Sequence, residues 1–349
     1  MNAISDRWFA EELLRWASEY GRHDLPWQQN RTAYRVWVSE IMLQQTQVQT
    51  VIGYYQRFME RFPDVCALAG ADIDDVLALW SGLGYYARGR NLHKSAQRVV
   101  AEHGGNIPTD ISELMALPGI GRSTAGAILA LSDDQALPIL DGNVKRVLAR
   151  FHAVEGWPGD TKVVRSMWTL AENHTPGPDR VAAYTQAIMD LGAMVCTRNR
   201  PQCACCPVSS ACAAYREART DELPHRKPKK ALPQRSTHFL IVRDPQRAVL
   251  LRRRPPTGIW GGLYGFLEFE DENSIDRWLQ RHGLETAPRA VLPIIEHGFS
   301  HYRLSIHPTV VEGIPRGVTD VDSLWYKPEQ DTATVGLAAP VSRLLASLG

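Results

Sequence analysis

A chain of 349 residues, 44% hydrophobic and 22% charged, is long enough for two separately cored domains and has the balance of an ordinary globular protein. Its formal net charge of +1 neither requires nor excludes nucleic acid, because binding follows where the charges sit. No apolar run approaches the roughly 18 residues of a membrane helix, and Asp6, Arg7, Glu11 and Glu12 exclude a secretory signal, so a cytoplasmic protein without a membrane partner is expected.

Residues 5–20 read as an amphipathic helix carrying Trp8, Leu13, Leu14 and Trp16. The turn G-R-H-D-L-P-W ends at Trp27, which fits either a buried ring or a pocket wall. Residues 33–60 predict one long helix with an apolar face of Val36, Trp37, Ile41, Val48, Val51, Ile52 and Tyr55. Glu40 stands among these apolar groups. Desolvated there it would hold its proton and serve as a donor near neutral pH; on a wet face it would be an ordinary surface carboxylate. Gln44 and Gln45 are either surface or groups that wedge between and hydrogen-bond bases. Leu77, Leu79 and Trp80 predict a helix ending at Gly82 or Gly84. Tyr85, Tyr86, Arg88, Arg90 and Lys94 then interleave aromatics with cations, as in a DNA-facing loop or a packed one.

The stretch L-P-G-I-G-R-S-T-A-G predicts helices over Ile111–Leu117 and Ser123–Leu131, joined by a hairpin at Pro118–Gly121. Gly119 and Gly121 leave backbone N–H groups bare, and bare N–H groups at a helix start attract phosphate. Small residues behind them let the two helices close up. Asp141 predicts an N-cap for a helix over 143–150, and a capping carboxylate is held rigidly enough to oppose a cation.

Two further helices are expected within 162–196. Cys196, Cys203, Cys206 and Cys212 follow as C-x6-C-x2-C-x5-C, a strong metal signal. Zinc ribbons favour paired C-x2-C units, and only one is present, so a 4Fe-4S cluster fits better. Cys205 reads as a non-ligand and Cys66 as a buried core residue. Residues 224–235, with three prolines, five Lys or Arg and no acid, mark a linker. Domains of 1–223, including the cysteine loop 196–212, and 236–349 follow. Strand-like runs begin at Thr237, Ala248, Leu263, Ala290 and Tyr302, with helices near 274–282 and 339–348, making the second domain α+β.

The motifs W-V-S-E-I-M-L-Q-Q-T-Q-V, G-L-G-Y-Y-A-R-G-R-N-L-H, L-P-G-I-G-R-S-T-A-G and L-D-G-N-V-K-R-V-L-A-R, the cysteine spacing and F-S-H at Phe299–His301 occur in this order. Over nearly its whole length the chain resembles the helix-hairpin-helix DNA glycosylases, most closely their adenine-removing branch. The resemblance implies a multidomain fold, an all-α helix-hairpin-helix domain with an iron–sulfur loop followed by an α+β Nudix-like domain. It implies Glu40 as the acid that protonates adenine at N7, and Asp141 as the carboxylate facing the sugar cation, electrostatically or through a transient bond. Gln45 and Tyr85 match wedging positions. Gln44, Arg88, Gly119, Gly121, Ser123, Asn143 and Lys145 match DNA contacts, and Trp27 and Gln186 the adenine pocket. Phe299, Ser300 and His301 match the recognition of 8-oxoguanine. The expected partner is duplex DNA with adenine opposite 8-oxoguanine or guanine, bound by a monomer carrying one 4Fe-4S cluster; a monovalent cation at the hairpin is left open. Strand-cutting relatives carry lysine where this chain has Ser123, and serine cannot form a Schiff base, so a monofunctional glycosylase is expected. Glu268 follows Gly262 at Nudix spacing, but no R-E-x2-E-E comes after it, so the second domain is expected to bind without hydrolysing.

Overall fold

The computed structural model describes residues 6–227, 232–255, 258–299, 301–318, 322–327 and 335–348. The chain divides into two units, Met1–Gly70 with Asn91–Pro228, and Ala71–Arg90 with Lys229–Gly349.

The first unit is helical: α1 (Asp6–Tyr20), α2 (Ala33–Leu43), α3 (Val48–Arg61) and α4 (Val65–Ala69) precede the excursion into the second unit, where α5 (Ile73–Leu79) lies. α6 (Ala87–His103) leads back, followed by α7 (Ile111–Met115), α8 (Arg122–Ser132), α9 (Gly142–Phe151), α10 (Thr161–His174) and α11 (Pro178–Asp190). A single π turn, Leu191–Val195, and α12 (Ala213–Arg216) bracket the cysteine loop. Each helix forms for a local reason. α9 is typical: Asp141 caps it by accepting from Val144 N at 2.8 Å, and Val144, Val147, Leu148 and Phe151 recur at helical spacing on its buried face. They join Phe9, Leu13, Met167 and Leu191 in one core.

Two expectations are corrected. The helix over 33–60 is two helices, because the chain turns at 44–47. There Gln45 takes φ 58 and Thr46 Oγ1 donates back to the Gln44 carbonyl at 3.4 Å, a side-chain bond that competes with the helical ladder. Cys66 is exposed rather than core, since short α4 buries only Val65 and Leu68.

The second unit is built on a mixed sheet. Its strands are β1 (Gln234–Arg243), β2 (Val249–Arg253), β3 (Tyr264–Gly265), β4 (Leu267–Phe269), β5 (Arg289–Val291), β6 (Ile295–Gly298), β7 (Arg303–Glu312) and β8 (Ser323–Tyr326). The spine runs β3-β2-β1-β7-β5, with β4 on β1, β6 on β7 and β8 on β2. Only β1 and β7 run parallel; the other pairs are antiparallel. Pro308 sits inside β7, where β6 pairing ends and β5 pairing begins, so its missing N–H costs no ladder bond; its carbonyl accepts from Leu292 N at 2.9 Å. Ile275 and Leu279 of α13 (Glu272–Arg281) pack on Leu240, Val242 and Val311. The alternate residues Phe239 and Ile241 are also buried, as expected of a sheet covered on both faces. α14 (Ala339–Ser347) closes the chain.

The segment 71–90 belongs to this unit by its bonds. The Tyr86 hydroxyl donates to Leu337 O at 2.8 Å, Arg90 Nη1 to Gly261 O at 2.5 Å, and Arg253 Nη2 to Asp74 Oδ1 at 2.6 Å.

Candidate active site

A cavity of about 870 Å³ opens in the helical unit between the Trp27 turn, α2, α8, α9 and α11. Its size suits a nucleotide. Glu40, one turn from the end of α2, and Asp141, at the head of α9, both line it. The two carboxyls are held differently. Protein surrounds Glu40 although the cavity reaches it, and that burial, with the Asp141 charge second, pushes it up to about 8. Burial raises Asp141 too, but the Val144 and Asn143 N–H groups and the Arg146 and Lys145 charges all favour its ionised form. Glu40 has no such opposing group. The proton shared by this pair therefore rests on Glu40 and the charge on Asp141.

Asp141 is fixed from three sides. Leu140 N donates to Ser123 Oγ at 2.9 Å, tying the preceding residue to the first turn of α8. Gly126 brings α8 so close that a Cβ there would meet Pro138 O at 2.6 Å. A Cβ at Gly192 would come 2.6 Å from that of Asn143. Arg146 then staples the start of α9 to the cysteine loop. Its Nη2 donates to Asn143 Oδ1 at 2.8 Å and Gly192 O at 2.6 Å, and its Nε to Cys196 O at 2.7 Å.

Trp27, Gln44, Gln45, Ser123, Asn143 and Gln186 also line the cavity. Trp27 is buried edge-to-face on Tyr55 with centroids 5.5 Å apart. Gln44 Nε2 donates to Thr124 Oγ1 at 3.4 Å, whereas Gln45 is exposed. Gln186 Nε2 donates to Asp190 Oδ1 at 2.8 Å. Residues the sequence reading missed surround them. Asp190, 1% exposed and behind the wall, is paired at 2.5 Å with Arg22, which lines the cavity; the two lie 168 positions apart, and no local pattern joins them. Arg146, likewise missed, lines the wall beside Arg198 of the basic loop in the cysteine segment.

The hairpin forms as expected, with α7 ending at Met115. Gly119 is required there: its φ is 84, and a Cβ would meet that of Asn91 at 3.0 Å. Gly121 caps α8 in an extended conformation with open space around its missing side chain, which leaves the first N–H groups of α8 approachable. Lys145 lies outside the cavity, in a neighbouring basic pocket with Arg198 and Arg226. Tyr85 and Arg88 belong to the second unit and do not line the cavity. Tyr85 is 54% exposed, while Arg88 Nη2 donates to Leu83 O and Gly84 O and so holds its own turn. In the sheet unit, Phe299 packs on Tyr302 at 4.7 Å and His301 on Tyr302 at 4.8 Å; Ser300 lies outside the described residues.

Cys196, Cys203, Cys206 and Cys212 line one small cavity of about 30 Å³, walled also by Phe151, Val195 and Val208; Cys205 is not among its walls. Burial pushes the Cys206 thiol up to about 12 and raises Cys203 and Cys212, so thiolates there require a cationic partner. Arg150 Nη1 donates to Cys196 Sγ at 3.4 Å. No three His, Cys, Asp or Glu side chains among the described residues converge as the ligands of a single ion would.

Residues 38–173 match the family described as HhH-GPD superfamily base excision DNA repair protein, and residues 238–347 match the NUDIX domain. The chain is 37% identical over 342 residues to the adenine DNA glycosylase of Buchnera aphidicola subsp. Acyrthosiphon pisum (strain APS), covering 97% of this chain and 96% of that one. Against the adenine DNA glycosylase of Mus musculus it is 47% identical over 224 residues, 62% of this chain and 43% of that one. A thermostable thymine-DNA glycosylase structure matches with a TM-score of 0.56 at 24% identity, over 61% of this chain and 97% of its own, a likeness of fold.

Proposed function

Since the chain belongs to the adenine DNA glycosylases of base excision repair, we propose that it removes adenine opposite 8-oxoguanine or guanine by hydrolysis, with Glu40 as general acid and Asp141 facing the sugar. The observation that carries this is the opposed setting of two carboxyls in one cavity. The target nucleotide must leave the duplex to reach them. Gln45, exposed at the turn between α2 and α3, fills the gap; its exposure there supports that role. As the C1′–N9 bond breaks, its electron pair goes to N9 and the proton of Glu40 goes to N7. The sugar left behind is cationic, and the Asp141 carboxylate opposes that charge, a stabilisation worth about 3 kcal/mol. Water adds at C1′ and gives its proton to the Glu40 carboxylate, restoring the acid. Ser123 is committed to Leu140 N and offers no amine, which supports a glycosylase that leaves the strand intact.

The cysteine spacing C-x6-C-x2-C-x5-C, with Cys196, Cys203, Cys206 and Cys212 lining one small cavity, supports a 4Fe-4S cluster. When bound, such a cluster would supply a fixed centre for the loop carrying Arg198; the hydrolysis moves no electrons and asks no redox step of it. The sheet unit is proposed to read the lesion through Phe299, Ser300 and His301 without hydrolysing nucleotides; Glu268 is engaged by Arg254 in an ion pair.

The test is incubation with duplexes bearing adenine opposite 8-oxoguanine, followed by alkali. An alkali-labile site at that adenine is expected. Its absence overturns the reading, and strand breaks without alkali overturn its monofunctional part.

A further inference from the structure

In the sheet unit, rings from separate segments gather behind Phe299. The Trp260 ring lies 5.3 Å from that of Phe299 and 5.4 Å from that of His297. On Trp260 in turn sits the Arg254 guanidinium, 5.6 Å from the ring centroid. Arg254 is itself fixed, by Nε donating to Ile259 O at 3.0 Å and by its ion pair with Glu268.

The backbone at Trp260 is unusual. Its φ is 54, in the left-handed region that side chains with a Cβ avoid. Glycine takes that conformation freely, and glycines do stand nearby at 258 and 262, with φ 86 and 75. The Trp260 side chain makes none of the following bonds of the turn: Leu263 N donates to Trp260 O at 3.0 Å, Gly261 N to Gly258 O at 3.3 Å and Arg254 Nε to Ile259 O, all of which a glycine at 260 would allow equally well. A strained aromatic residue in a glycine-rich turn indicates that the ring is what the position supplies.

We propose that Trp260 is a positioning residue for lesion recognition: backed by Arg254, its ring holds Phe299 in the pose that meets the base opposite the target adenine. This rests on the lesion-reading role given to Phe299 above. Without Trp260, Phe299 loses one of the rings that hold it beside His297 and Tyr302, and ordering it on DNA costs more. The adenine chemistry belongs to the helical unit, so the effect falls on the choice of opposing base.

The test compares wild type with Trp260→Gly, Trp260→Leu and Trp260→Phe, measuring single-turnover adenine release from duplexes with 8-oxoguanine or guanine opposite adenine. Trp260→Gly relieves the backbone while removing the ring; Trp260→Leu keeps an apolar side chain if the glycine variant does not fold. Both are expected to lose about tenfold in preference for the 8-oxoguanine duplex, with the rate on the guanine duplex within about twofold of wild type. Trp260→Phe is expected to retain most of the preference, a rescue that a role in folding alone would not predict. The inference is overturned if the folded glycine or leucine variant keeps the wild-type preference, or if phenylalanine loses as much as glycine. A wild type with no preference would instead overturn the lesion-reading role itself.

Discussion

Two cavities of the helical unit touch the same helix, and burial pushes the acids of both toward their protonated forms, to different ends. In the larger, about 870 Å³, burial drives a carboxyl toward its protonated form, and Glu40 keeps the proton that the proposed mechanism assigns to it. In the smaller, about 30 Å³, burial does the same to thiols, but there the neutral form is of no use, because only thiolates bind metal. α9 connects the two: Asp141 caps its first turn at one cavity, and Arg150 near its end donates to Cys196 at the other. Desolvation alone therefore does not define a site. What decides is the charge set against it: nothing stands against Glu40, N–H groups and cations stand beside Asp141, and the cysteine cavity calls for a cationic centre.

The strongest way to break this contrast is to remove the proton that the first cavity keeps. Glu40→Gln fills the same space without an acid, and single-turnover adenine release should fall by roughly 10² to 10⁴ while duplex binding is retained. A variant that still releases adenine at near wild-type rate would remove Glu40 from the mechanism. The same change should stabilise the fold. Glu40's folded pKa, about 8, lies above its ordinary 4.5, so ionising it costs the folded state progressively as pH rises from 4.5 to about 8. At pH 7 that cost is at most about 3 kcal/mol, and less where cavity water screens the charge. A raised melting temperature for Glu40→Gln at pH 7 or above, shrinking toward pH 4, is the expected signature.

A smaller effect is expected from disturbing the helix the cavities share while leaving both sets of acids intact. Gly192→Ala puts a methyl group 2.6 Å from the Asn143 Cβ, two residues beyond the Asp141 cap. The start of α9 must shift, costing about 1–3 kcal/mol and slowing adenine release by about tenfold or more, since small misplacements of a reacting group are expensive. The visible absorbance of the cysteine site should survive. Its loss together with activity would mean that the two cavities are less separable than the contrast requires.

How far each cavity was legible in the sequence follows the distance over which it is assembled. Four cysteines within 17 positions announce themselves, and so does the Asp141 cap, because both are local patterns. Glu40 could be read either way, since its burial depends on α8 and α9 arriving from about a hundred residues downstream. The Arg22–Asp190 pair spans 168 positions and left no trace. The turn at 44–47 was missed because apolar spacing continues across it; what breaks the helix is the Thr46 hydroxyl on a carbonyl, which periodicity does not register. Likewise, 71–90 reads as one more helical segment, and its place in the sheet unit rests on single bonds such as Tyr86 to Leu337.

The mildest perturbation is pH itself, and it sharpens the contrast without changing a residue. In the proposed mechanism Glu40 acts in its protonated form, so the adenine-release rate should be nearly flat below pH 7. It should fall about twofold by pH 8 and about tenfold by pH 9, following titration at about 8. Asp141 is also raised by burial, but its donors and neighbouring cations oppose the shift, so it should set only the acidic limb, where protonation would remove the charge facing the sugar. The thiolates of the second cavity, once bound to metal, have no proton to lose over pH 7–9. Visible absorbance should therefore stay constant while the rate declines. If absorbance and rate fell together with one midpoint, the alkaline limb would belong to the cysteine site. A decline in rate alone, absent from a titration of duplex binding, assigns it to the carboxyl that burial keeps protonated.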